Sequence, residues 1–194
     1  MFLPAPADSE ATARLYQGDL ASQGFVMNLS RLWAWRPEVY EGFVALRKQL
    51  MEGSSLSGRE LAVLVCATAG ELGDSYCALA WGKKLAAAAD AALAAAVLRD
   101  APCDALSLRE QALSAWARQV VQDPNATTSV DVGALRDAGL SEREIFEATT
   151  FVAFRLAFST INDALGVRPD WQLAASAPVE VSEAVRFGRP PAEK

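Results

Sequence analysis

Gly70-Glu71-Leu72-Gly73-Asp74-Ser75-Tyr76-Cys77-Ala78-Leu79-Ala80-Trp81-Gly82-Lys83-Lys84 is the segment from which the architecture unfolds. Gly73 breaks an apolar helix, and Asp74 is a good N-cap for the next one. Cys77 then falls in the first helical turn, where free backbone N–H groups and the positive end of the helix dipole favour a thiolate. The Asp74 carboxylate opposes them, because a nearby anion raises a thiol pKa. The spacing i, i+3, i+7 puts Asp74, Cys77 and Trp81 on one helix face.

Outward from this segment the pattern is helical throughout. Ser57-x-x-Glu60 reads as a capping box opening an apolar helix over Leu61–Leu72, and the Cys77 helix runs to about Ala88. An Ala-rich helix follows over Ala87–Leu98, either continuous with it or separated near Asp90. Ser-x-x-Glu recurs at Ser107/Glu110 and Ser141/Glu144, opening helices to about Val121 and Ala164. A short helix is predicted over Val130–Ala138. On the N-terminal side, Asp8–Leu20 reads as a helix. Leu32, Trp33, Trp35, Val39, Phe43, Leu46 and Leu50 recur at helical spacing, with Asn28 or Ser30 as cap and Arg36-Pro37 as a start or kink. Gly166 and Pro169 stop the long helix, and the tail from Trp171 is expected to be mostly extended, with a short helix over Val179–Arg186. No run of alternating β-branched residues argues for a sheet, so the expectation is an all-α bundle forming one domain over residues 1–194.

Composition narrows the function. The chain has 194 residues, 52% of them apolar, and a formal net charge of −6. An acidic chain without a basic cluster beyond Lys83-Lys84 is not expected to bind nucleic acid. The N-terminus lacks the basic and apolar regions of a secretory signal, and Leu85–Leu98 is too short and too charged to span a bilayer, so no membrane association is expected. Cys66, Cys77 and Cys103 have no spacing typical of zinc or a disulfide framework, so neither metal nor cofactor is expected and a cytoplasmic, thiol-reducing setting follows.

The run Ser75-Tyr76-Cys77-Ala78-Leu79-Ala80-x-Gly82 resembles the alkylhydroperoxidase D-like group of the carboxymuconolactone decarboxylase superfamily, in its peroxidase-related branch. The group's redox motif is Cys-x-x-Cys-x-x-x-His. Here Cys77 holds the second Cys position, Asp74 the first and Trp81 the His position, and the chain contains no His. The resemblance extends to Leu15-Tyr16 through Arg36-Pro37, Leu56-Ser57-x-Arg59-Glu60-Leu61, Asp131 to Ser141, Leu165-Gly166-Val167-x-Pro169-Asp170 and Val185-x-Phe187-Gly188-Arg189-Pro190-Pro191. It implies an alkylhydroperoxidase D-like helical bundle, a symmetric homo-oligomer and chemistry centred on Cys77. Glu60 resembles the group's proton-relaying carboxylate, with an interval to Cys77 about two residues longer than usual; the capping box with Ser57 fully explains a Glu there and is the preferred reading, though one residue can serve both.

Cys77 is therefore the candidate nucleophile and Glu60 the candidate proton carrier. Glu71 is an alternative donor, Tyr76 a possible source of a hydroxyl, and Trp81 a wall of an apolar cavity. Cys103 in a loop, and Cys66 across the helix break, are the remaining thiols. With one motif Cys, the activity implied is a slow one-Cys reduction of a hydroperoxide, using an external thiol reductant. The alternative is a non-redox small-molecule-binding protein, or a carboxymuconolactone decarboxylase-like lyase working through acids such as Glu60 and Asp74.

Overall fold

Every residue from Ala62 to Ala69 is buried, which puts the helix they form at the centre of the molecule. A helix that is apolar on all sides must be covered on all sides. In the computed structural model, which describes residues Met1–Lys194, this helix is α4 (Gly58–Leu72). It is enclosed by α5 (Ser75–Ala88), α6 (Ala91–Arg99), α7 (Leu108–Gln122) and α9 (Glu142–Ala164). Each fully buried Val or Leu side chain, such as Val63 or Leu64, contributes about 1.5–3 kcal/mol relative to exposure. At Gly70 a Cβ would lie 2.4 Å from the Leu98 carbonyl oxygen, so the absence of a side chain lets α4 and α6 approach.

The remaining helices form an outer layer. α1 (Glu10–Gln23), α2 (Asn28–Trp33) and α3 (Pro37–Met51) pack together, with α3 against α9. α8 (Ser129–Asp137) joins α7 to α9, while α10 (Trp171–Ser176) and α11 (Val179–Ala184) lie on α5, and α11 also on α6. There are eleven helices and no strand, as an all-α bundle requires.

All three Ser-x-x-Glu signals are reciprocal capping boxes, and they share a further feature. One carboxylate oxygen of Glu60, Glu110 and Glu144 accepts the cap N–H of Ser57, Ser107 or Ser141. The other accepts from an arginine. Arg109 reaches Glu60 at 2.9 Å and Glu144 at 2.8 Å, and Arg59 reaches Glu110 at 2.5 Å. The N-termini of α4, α7 and α9 are thereby tied at one end of the bundle.

Three local expectations are refined. The helix expected over Leu32–Leu50 is two helices, divided at Arg36, because Pro37 lacks an N–H and suits the first position of α3. α2 has no capping side chain from Asn28 or Ser30; the Asn28 N–H instead donates to Asp170 Oδ1 at 2.9 Å, a partner 142 residues away. Trp171–Ser176 is helical rather than extended. None of its residues is fully buried; Leu173 packs against the small aromatic cluster, and the helix takes its place from contact with α5. Between α5 and α6 the chain breaks at Asp90, whose side chain caps the Leu93 N–H at 2.8 Å.

Candidate active site

Gly73 adopts φ +80°, a left-handed conformation that ends α4 at low cost and turns the chain directly into α5. Asp74 follows as the N-cap, its Oδ1 accepting the Cys77 N–H at 2.9 Å. Cys77 is thus fixed in the first turn of α5, 5% exposed, facing α9. The second Asp74 oxygen accepts the hydroxyl of Ser159 at 2.5 Å, and Ser159 Oγ lies 3.7 Å from Cys77 Sγ. A carboxylate can only accept, so the single hydroxyl proton of Ser159 points to Asp74 and the thiol is left to donate to Ser159. The result is a directed chain, Cys77 to Ser159 to Asp74.

Burial pushes the Cys77 thiol up to about 12, and the Asp74 charge adds to the rise; the Arg155 guanidinium acts in the opposite direction. The helix dipole is therefore outweighed. Asp163, one turn beyond Ser159, is also pushed up, to about 7, first by burial and then by Asp74.

Cys77 opens on a cavity of about 500 Å³. Tyr76, Trp81, Tyr40 and Phe158 supply aromatic walls, and Arg47 and Arg155 supply charge. Trp81 packs edge-on to Phe151 at 6.5 Å between ring centroids, and the Lys84 ammonium sits 4.1 Å from its ring centre. The Tyr76 hydroxyl donates to Asp170 Oδ2, so both Asp170 oxygens are occupied. The C-terminal segment seals the other side of the turn: Ser75 Oγ donates to the Arg189 carbonyl at 2.7 Å, and a Cβ at Gly188 would lie 2.5 Å from the Gly73 oxygen.

Of the residues singled out in the sequence, Asp74, Tyr76, Cys77 and Trp81 meet in or beside this cavity. Glu60 does not line it; its oxygens are held by Ser57 and Arg109, which also hold its pKa down against the effect of burial. Glu71 accepts from Arg118 at 3.2 Å and from Gln122 at 2.9 Å, likewise outside the cavity. Cys66 is wholly buried in the main core, and Cys103 lies on a separate groove beside α6; all three thiols are free. Ser159, Arg155 and Arg47 were not anticipated. Arg155 had a visible signal: it occupies the register of Ala148, Phe151, Val152, Phe158 and Ser159, all buried on one face of α9.

No protein-family model and no curated protein matches the sequence. Solved structures do match. A peroxidase-related protein from Silicibacter sp. TM1040 superposes with a TM-score of 0.77 at 23% identity, over 89% of this chain and 93% of that one. An alkylhydroperoxidase D core protein from Ralstonia eutropha JMP134, also peroxidase-related, gives 0.77 at 22% identity, over 98% and 97%. The debrominase Bmp8, as a Cys-to-Ala variant in complex with 2,3,4-tribromopyrrole, gives 0.75 at 15% identity, over 95% and 98%. The chain has the helical fold of the alkylhydroperoxidase D core and of the peroxidase-related proteins built on it.

Proposed function

We propose that the protein is a one-Cys thiol peroxidase acting on organic hydroperoxides, with Cys77 as nucleophile. The observation that carries this reading is a single cavity-facing thiol whose proton has a defined route, through Ser159 to Asp74. The thiol proton passes along that route, and the sulfur attacks the distal oxygen of the hydroperoxide. An S–O bond forms, the O–O bond breaks, and the departing alkoxide takes up a proton to leave as an alcohol. Cys77 is then a sulfenic acid. One external thiol displaces water to give a mixed disulfide, and a second releases Cys77 as the thiol with an external disulfide as product. A reducing compartment such as the cytoplasm would supply both thiols. A cavity of about 500 Å³ far exceeds what hydrogen peroxide fills, which favours an organic substrate. The debrominase with the same fold, which holds a brominated pyrrole, supports that scale of ligand.

The high thiol pKa favours a second reading, a small-molecule-binding protein or lyase without redox chemistry. Mass spectrometry of peroxide-treated protein separates the two. The peroxidase reading expects a sulfenic acid or mixed disulfide on Cys77, and hydroperoxide consumption in excess thiol that Cys77→Ser abolishes. Equal turnover by Cys77→Ser would leave the second reading. A disulfide from Cys77 to Cys66 or Cys103 would replace the one-Cys cycle with a two-Cys one.

A further inference from the structure

Arg155 is 4% exposed, and its Nε and Nη1 have no hydrogen-bond partner. That is an expensive arrangement: a buried guanidinium is normally held by a carboxylate or by carbonyl groups. The one other buried arginine, Arg118, is engaged: it pairs with Glu71 and Asp100 and donates to the Val97 carbonyl. Around Arg155 the cavity lining adds cations rather than anions. Arg47 and Lys84 also line it, and none of the three forms a salt bridge. The sole carboxylate of the lining, Asp170, is occupied by Tyr76 and Asn28. Burial and the neighbouring Arg155 both press the Arg47 pKa down, as expected for two cations sharing an unneutralised space. All this occurs in a chain of net charge −6.

We propose that the cavity beside Cys77 takes an organic anion, a carboxylate on a flat apolar body, with Arg155 and Arg47 receiving the carboxylate. This rests on the reading of the cavity as a substrate site and names the substrate class. No hydrogen bond engages any Arg155 nitrogen, so the adjacent Nε–H and Nη2–H donors on one edge of its guanidinium are free to meet the two oxygens of a carboxylate. The aromatic faces suit the rest of the ligand. The Arg155 guanidinium carbon lies 5.2 Å from the Phe158 ring centre and 5.6 Å from that of Trp81, so the charge sits against aromatic rings that line the same cavity as the thiol. Binding would place the anionic end on α9 and leave the other end of the ligand against Cys77.

The test is calorimetric titration with phenylacetate and its neutral twin phenylacetamide, using full-length wild-type protein and Cys77→Ser. The anion is expected to bind both proteins alike, and at least about tenfold more tightly than the amide, the order of one charge-assisted contact. Arg155→Gln and Arg47→Gln should each reduce that preference, with circular dichroism checking the fold. If Arg155→Gln does not fold, Arg47→Gln decides. Equal binding of the two probes, no binding of either, or a preference unchanged in the variants that fold would overturn the proposal. Because Cys77→Ser carries the binding measurement, a failed peroxidase assay leaves this result standing, and a failed titration leaves the thiol chemistry standing.

Discussion

Asp74 acts on Cys77 in three ways at once: it fixes the first turn, it accepts the Ser159 proton, and its charge resists thiolate formation. The last can be separated from the first, since Asn caps a helix about as well as Asp. Asp74→Asn should therefore preserve α5 while lowering the Cys77 pKa. A fall of about one pH unit gives roughly ten times more thiolate, partly offset by its lower intrinsic nucleophilicity, for a net rise of roughly threefold in iodoacetamide alkylation. In the wild-type protein the thiol pKa lies above its ordinary value of 9.0, at about 12. Its alkylation rate should thus climb about tenfold per pH unit through the neutral and mildly alkaline range, without a plateau. Slower alkylation of Asp74→Asn would mean that the proton route outweighs the charge.

At the scale of the helix, the Glu60 carboxylate belongs to an end-fixing network rather than to the cavity. Its partner Arg109 has a side chain 28% exposed, and bridges Glu60 and Glu144, whose side chains are 11% and 10% exposed. Glu144 is held down to about 2, first by the Ser141 cap N–H and then by Arg109. Removing the guanidinium leaves two nearly buried carboxylates short of a partner: Glu60 with its cap alone, Glu144 with its cap and the Ser55 hydroxyl. Arg109→Met should therefore lower stability by about 1–3 kcal/mol, seen as a lower urea midpoint with an unchanged slope. Glu60→Gln should shift the midpoint in the same direction and leave Cys77 alkylation unchanged. A large change in alkylation would return Glu60 to the chemistry.

Across the whole molecule, α3 is the least covered long helix, with Pro37 its one buried residue. Of the row Val39, Phe43, Leu46 and Leu50, at i, i+4, i+7 and i+11, Phe43 and Leu50 pack within the chain, but Val39 and Leu46 stay 45% and 48% exposed. Two large apolar side chains left exposed on one helix face mark a surface suited to packing on a partner. We expect it to be covered by a second copy of the chain, giving a homo-oligomer. Light scattering should report a mass above that of the 20.7 kDa chain, and Leu46→Glu should reduce it. A monomer over a wide concentration range would count against assembly. No helix is long and apolar enough to cross a membrane.

The sequence by itself determined the helix boundaries that rest on local chemistry: the three Ser-x-x-Glu boxes, the Gly73 turn and the Asp74 cap. Those signals lie within a few residues of one another and need no tertiary contact. Cys77, Trp81 and Tyr76 were legible as neighbours because the first two turns of one helix carry them. Tertiary structure alone brought Ser159, 82 residues away, to the thiol, and used Asp170 to start α2. It also decided the acidity of Cys77, since the dipole and Asp74 can be read from the sequence but burial, the largest influence, comes only when α9 closes over α5. The same closure leaves Arg155 without an internal hydrogen-bond partner, a charge whose register could be read but whose isolation depended on every side chain packed around it.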